Sequence, residues 1–206
     1  LVCYVNSSAE VKAECDVTCT SSNAVNVVKS LGVSKVIFAP DRNLGGYVQS
    51  LLPEIEVITF DGFCITHERV GESEILAVKA AKPGVKILVH PECNESVYRH
   101  ADYIGSTAQI INYVKNSQDK EFVIGTEMGI LHTLKKQNPE KIFYLLSPSL
   151  ICANMKKTSL LDVYIALRDE KHVIDVDMET SEKAITALNR MLQTNKIGRA
   201  SCRERV

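Results

Sequence analysis

The chain has 206 residues, 45% of them hydrophobic and 24% charged, with a formal net charge of -1. That composition suits an ordinary globular protein with room for one or two domains. The lysines and arginines are scattered and no apolar run approaches the roughly 20 residues that span a bilayer, so neither nucleic acid nor a membrane is an expected partner.

Leu1–Asn6 reads as a short apolar strand, Ser8–Cys15 as a helix and Val17–Thr20 as a second strand. Leu1 is not Met and opens inside an apolar run, so the chain is expected to be a fragment cut within a strand. Ser21–Leu31 has the apolar spacing of a helix, with Ser21 or Ser22 as its N-cap. Lys35–Ala39 is a strand stopped by Pro40, Asn43–Leu52 is helical, and Glu56–Phe60 is a strand. This alternation predicts an α/β fold with a mainly parallel sheet.

The pattern then restarts. Tyr4 and His90 differ by 90 − 4 = 86, and Ser21 and Thr107 by 107 − 21 = 86. Asp41 and Glu127 differ by 127 − 41 = 86, without a gap between these points. A register held over polar positions indicates two copies of one α/β unit, a duplicated three-layer αβα arrangement. The polar matches follow apolar strands or open helices, where parallel sheets and helix N-termini receive anionic ligands.

Seven cysteines without a visible secretory signal point to metal binding or catalysis for some of them, not to a disulfide scaffold. Cys64 and Cys152 each follow the last strand of a repeat, 152 − 64 = 88 apart. If the units face each other about a pseudo-symmetry axis, both thiolates converge on it. A third unit upstream would supply a third cysteine, and three thiolates on one axis suit a [4Fe–4S] cluster with one open iron. A zinc site or two buried structural cysteines are the alternatives.

Several segments in order resemble the quinolinate synthase family: Y-V-N-S-S-A-E-V-K-A, T-S-S-N-A-V, A-P-D-R-N-L-G, C-x-T-H, V-H-P-E-C, A-D-Y-I-G-S-T, I-G-T-E-M-G and C-A-N-M-K-K. The resemblance runs from Leu1 to about Leu192. It implies three homologous domains around a pseudo-threefold axis, of which residues 1–83 would be the second and 84–153 the third. Residues 154–196 would pack on the absent first domain. It further implies a cytoplasmic enzyme of NAD biosynthesis that condenses iminoaspartate with dihydroxyacetone phosphate to quinolinate, phosphate and water. A functional link to the enzyme supplying iminoaspartate goes with that role.

Carried over residue by residue, Cys64 and Cys152 become two ligands of a [4Fe–4S] cluster, the third lying outside this chain. Tyr4, Val5 and Asn6 match the segment that touches substrate, and Ser21 and Thr107 match two hydroxyl anchors. His90, Pro91 and Glu92 match H-P-E, with His90, Glu92 and Tyr4 in proton transfer. His67, three residues after Cys64, would orient the cluster ligand. Glu127, Lys156 and Lys157 are further candidates, the lysines as partners for anionic charge. The fragment by itself is expected to be inactive. The competing function is a non-catalytic module that binds small anions through Ser21, Thr107 and the helix termini.

Cys3, Cys15, Cys19 and Cys93 are expected to be packing residues, with Cys93 a candidate for oxidation beside H-P-E. Thr158–Arg168 predicts a helix, Val173–Val176 a strand and Glu179–Leu192 an amphipathic helix with Ala184, Ile185, Leu188, Met191 and Leu192 on one side. Residues 197–206, Cys202 included, have no apolar period and read as a non-native tail.

Overall fold

The computed structural model describes residues 1–194, so the expected tail at 197–206 lies outside the described residues. The first half folds as β1 (Val2–Tyr4), α1 (Ala9–Ala13), β2 (Val17–Cys19), α2 (Ala24–Ser30), β3 (Lys35–Ala39), α3 (Arg42–Leu51) and β4 (Glu56–Thr59). After α4 (Ile65–Glu68) and α5 (Glu72–Ala81) come β5 (Lys86–Val89), α6 (Glu95–Tyr98), β6 (Tyr103–Ile104), α7 (Thr107–Asn116), β7 (Glu121–Gly125), α8 (Ile130–Gln137) and β8 (Ile142–Leu145). Two helices close the described chain, α9 (Leu160–Asp169) and α10 (Met178–Thr194).

Two parallel sheets result, ordered β2-β1-β3-β4 and β6-β5-β7-β8. Their pairing is the same down to single residues. Val2 pairs with Val17 and Phe38, and Leu88 pairs with Tyr103 and Ile124, each 86 residues later. In both sheets the chain steps from the first strand to one side and returns to the other, leaving a switch point at the carboxyl ends of β1 and β3, and of β5 and β7. Such points are where open α/β sheets hold ligands.

The second sheet is covered on both faces, which is why β5 and β7 are nearly continuous apolar runs. Val123 faces a cluster with Ile75 of α5, while Phe122 and Ile124 face Ile110 and Leu134 of α7 and α8. The first sheet fills one face with Phe38, Leu44, Val48 and Val28. Its other face is open at Ile37, which is 50% exposed although its repeat counterpart Val123 is 1% exposed.

Three local expectations are corrected. The residue that precedes α2 is Asn23, not Ser21 or Ser22, and its Oδ1 accepts the Thr20 N–H at 2.6 Å. Val173–Val176 forms no strand, and Val173 and Ile174 are solvent-exposed because no sheet edge lies alongside. On α10, Ala184, Ala187 and Met191 are buried, whereas Ile185 and Leu192 are exposed. That helix lies on α1 and β2, where Met191 joins the first core and Arg190 donates to the Asp16 carbonyl at 2.9 Å. No helix among the described residues is long and apolar enough to cross a membrane.

Candidate active site

The two switch points meet. Tyr4 ends β1, His90 follows β5, and Ser21 lies in the turn after β2. His90 Nε2 sits 3.2 Å from Ser21 Oγ, a contact between the two units. Because Asn23 takes the helix-entry position, the Ser21 hydroxyl is free for that contact. The Tyr4 hydroxyl also reaches Ser21 and Glu92.

H-P-E folds back on itself. The Glu92 N–H donates to His90 Nδ1 at 3.3 Å, which fixes the neutral ring's proton on Nε2 and aims it at Ser21. Pro91 is buried between them and adds no N–H of its own. Asn43 Nδ2 donates to the Glu92 carbonyl at 3.0 Å, pinning the segment to α3.

His67 is the hub. Its Nδ1 lies 3.2 Å from Cys64 Sγ and 3.0 Å from Glu92 Oε2, and its Nε2 lies 3.0 Å from Thr126 Oγ1. Its ring stacks on His90 with centroids 4.8 Å apart. Burial disfavours its charge, but the Cys64 and Glu92 contacts outweigh that and lift it to about 9. His90 is pushed the other way, down to about 4, by burial and by its charged neighbour His67, against the pull of Glu92. Burial works against the Glu92 carboxylate, yet His67, His90 and the Tyr4 hydroxyl hold it below its ordinary value. Near neutral pH the site therefore holds an imidazolium, a carboxylate and a neutral imidazole in contact. Burial and Glu92 keep the Tyr4 phenol protonated.

Both candidate cysteines border this network. Cys64 immediately precedes α4, and Thr66, two residues on, reaches the Cys152 thiol with its hydroxyl. The Cys152 sulfur also faces the backbone N–H groups of Met155 and Asn154, and these hydrogen bonds favour its thiolate. Cys3, Cys19 and Cys93 are fully buried, and burial raises the thiols of Cys19 and Cys93. Cys93, whose Sγ faces the Gly125 carbonyl, is therefore a packing residue with no path for an oxidant. Cys15 is pushed up to about 12 by burial and by Cys3. Among the described cysteines, Cys64 and Cys152 alone combine partial exposure with a place at the switch points. Two partly exposed thiols, each just after the last strand of its unit, are part of the thiolate set that holds an iron–sulfur cluster, so these residues fit that group as two of its ligands. Cys64, His67 and Glu92 also bring their ligand atoms within 4.8 Å of one another.

Other expected residues stand apart. Val5 is half-buried and its N–H donates to the Cys19 carbonyl, while Asn6 is exposed two residues beyond Tyr4. Thr107 is exposed at the start of α7, where Ser106 supplies the cap. Lys156 Nζ lies 2.9 Å from Glu127 Oε1. Thr66, Thr126 and Asn43 were not singled out by sequence. The neighbours of Thr66 in C-I-T-H and of Thr126 in G-T-E were the available signal.

The family model described as "NadA: Quinolinate synthetase A protein" matches residues 1–193. The chain belongs to the quinolinate synthase family. Quinolinate synthase of Alkaliphilus metalliredigens is 59% identical over 193 residues, covering 94% of this chain and 64% of that protein. Quinolinate synthase of Clostridium kluyveri is 50% identical over 192 residues, covering 93% and 63% respectively. That of Caldicellulosiruptor bescii is 49% identical over 193 residues, covering 94% and 64%. The chain thus spans about 64% of the length of the first of these curated relatives.

Proposed function

We propose that this chain forms the second and third domains of a quinolinate synthase, at residues 1–83 and 84–153, which condenses iminoaspartate with dihydroxyacetone phosphate in NAD biosynthesis. The observation that carries the reading is the unbroken contact series Cys64–His67–Glu92–His90–Ser21, which joins a thiol to a proton-handling pair across two units. Cys64 and Cys152 would hold two corners of a [4Fe–4S] cluster, whose open iron supplies a Lewis acid for a substrate hydroxyl or carboxylate.

The chain's own residues divide the remaining work. Ser21 and Tyr4 offer hydroxyl donors to a substrate carboxylate or phosphate, with Asn6 and Thr107 at the rim. His90, neutral with its proton on Nε2, donates to a leaving oxygen and takes a proton back when the ring aromatises. Glu92 holds His67 charged, and the Glu92 carboxylate takes up the second proton and returns it. The low exposure of His67, His90 and Glu92 keeps these transfers out of bulk water. An imine hydrolyses in water, so a functional link to the enzyme supplying it, in the same cytoplasmic compartment, belongs to the reading.

The isolated chain is proposed to be inactive, since one thiolate must come from outside it. Two surfaces fit that view. On α9, Leu160 and Leu167 are 85% and 78% exposed, and the first sheet leaves Ile37 and Ile58 uncovered. Residues 154–196 would meet the first domain through α9, because α10 already has its partner within the chain.

The test is anaerobic reconstitution of the full-length protein with iron and sulfide, followed by a quinolinate assay. Alanine at Cys64 or Cys152 should abolish both cluster and product. Full cluster content in both variants would end the assignment.

A further inference from the structure

We infer that Asp41 and Glu127 are a matched pair of positioning residues, each bracketing one cysteine turn onto its sheet. The inference rests on the proposed cluster role of Cys64 and Cys152. In the first unit, Asp41 follows β3 and accepts twice: Oδ1 takes the Leu44 N–H at 2.7 Å and Oδ2 takes the Cys64 N–H at 2.9 Å. The next residue, Arg42, donates its N–H to the Gly62 carbonyl at 2.7 Å. In the second unit, Glu127 follows β7 and also accepts twice: Oε2 takes the Gly129 N–H at 2.7 Å and Oε1 takes the Cys152 N–H at 3.4 Å. The next residue, Met128, donates its N–H to the Leu150 carbonyl at 2.9 Å.

The two brackets are the same device. In each, one carboxylate oxygen holds the start of the following helix and the other holds the cysteine N–H. In each, the neighbouring N–H holds the carbonyl two residues before the cysteine. Both carboxylates are buried, with Asp41 4% and Glu127 8% exposed. A buried carboxylate needs partners for its oxygens; backbone N–H groups supply them at Asp41, and at Glu127 they do so together with Lys156.

The longer side chain of Glu127 is accommodated locally. A Cβ at residue 129 would lie 2.8 Å from Glu127 Oε2, and glycine stands there. Hydrogen bonds at the cysteine's own N–H and at the carbonyl two residues before it restrain the chain leading into that residue, and with it the Cα–Cβ direction. The brackets therefore set where each sulfur points before any cluster binds, lowering the cost of assembling the site.

The test uses the full-length enzyme that contains this segment. Asp41→Ser keeps a good helix cap but is too short and has too few acceptor oxygens to reach Cys64 as well. Glu127→Gln keeps the shape and removes one acceptor. Lys156→Met is the control, since it removes the ion pair and leaves both hydrogen bonds. Two readouts are taken: the rate of iron loss to a chelator, followed by visible absorbance, and the alkylation rate of each cysteine in the cluster-free protein, by mass spectrometry.

Asp41→Ser should speed iron loss about tenfold, as expected for one lost charge-assisted hydrogen bond, and change alkylation at Cys64 but not at Cys152. Glu127→Gln should speed iron loss by a smaller factor, because the Cys152 N–H sits at 3.4 Å, and change alkylation at Cys152 alone. If Asp41→Ser fails to fold, Glu127→Gln decides the matter by itself. Unchanged chelation and unchanged alkylation in a folded variant would overturn the inference. A wild-type protein that takes up no iron would instead overturn the cluster reading, leaving the cysteine-selective alkylation to judge the brackets.

Discussion

The imidazole of His67 lies against that of His90, with ring planes 19° from parallel, yet the two rings carry different charge. His67 is charged because Cys64 and Glu92 face its Nδ1, while His90 is neutral because it is buried and accepts the Glu92 N–H. The pair thus combines a fixed positive charge with a movable proton.

That asymmetry sets a pH dependence for the cluster-free chain. The His67 proton leaves near pH 6.5 when unfolded and is held to about 9 in the fold, so the folded state alone binds it in between. Stability should fall as pH rises from 6.5 to 8, by up to about 1.4 kcal/mol per pH unit. Below neutrality His90 acts in the opposite sense, because the unfolded chain gains its proton near 6.5 and the fold only near 4. Asp41, held up to about 6 by burial, offsets His90 in acid. Urea unfolding at pH 6.5, 7.2 and 8 checks this slope. A His67→Asn variant should lose the slope.

Ser21→Ala should cost about 1 kcal/mol, because Ser21 caps no helix but His90 Nε2 loses its partner. Asn23→Ala should cost about 1–2 kcal/mol, because the half-buried Thr20 N–H and hydroxyl both lose their acceptor. In the full-length enzyme the order should invert, with Ser21→Ala lowering quinolinate formation the more. Paired denaturation and activity measurements separate the two.

Gly62→Ala should destabilise by about 1–3 kcal/mol through overpacking. A Cβ there would lie 2.4 Å from the Pro40 carbonyl oxygen, which is backbone and yields little. The same displacement carries the Cys64 turn outward, so iron uptake by the full-length variant should fall along with its thermal midpoint.

Lys156→Met should change stability by less than about 1 kcal/mol. Lys156 is 46% exposed at its side chain, so its attraction to Glu127 is screened and carries an ordering cost. A thermal midpoint shift larger than that of Gly62→Ala would contradict this ranking.

The duplicated fold was legible because polar residues such as Tyr4 and His90, or Asp41 and Glu127, keep one interval through both units. Strand pairing obeys that interval, so the sheets followed from it. The meeting of His67 with Glu92 and Thr126 was not legible, since these residues are 25 and 59 positions away and touch only because two sheets dock. Ser21 was misread as a cap because Asn23, two residues on, takes the helix-entry position and turns its side chain back to accept the Thr20 N–H. The seat of α10 was equally hidden, because it depends on contacts such as Thr18 with Met191 across 173 positions.

The two repeats depart from a common interval at one place that bears on chemistry. Phe60 donates to Phe38 as Leu146 does to Ile124, but Asp61 then has Ser147-Pro148-Ser149 as its counterpart before the paired carbonyls of Gly62 and Leu150. The serine pair closes on itself, with oxygens 2.7 Å apart. The second thiol therefore stands on a longer stem, built as a self-contained knot. Two residues span at most about 7 Å of chain. The reach of that sulfur is thus an independent setting, adjustable by trimming the stem while the parallel platform beneath keeps its shape.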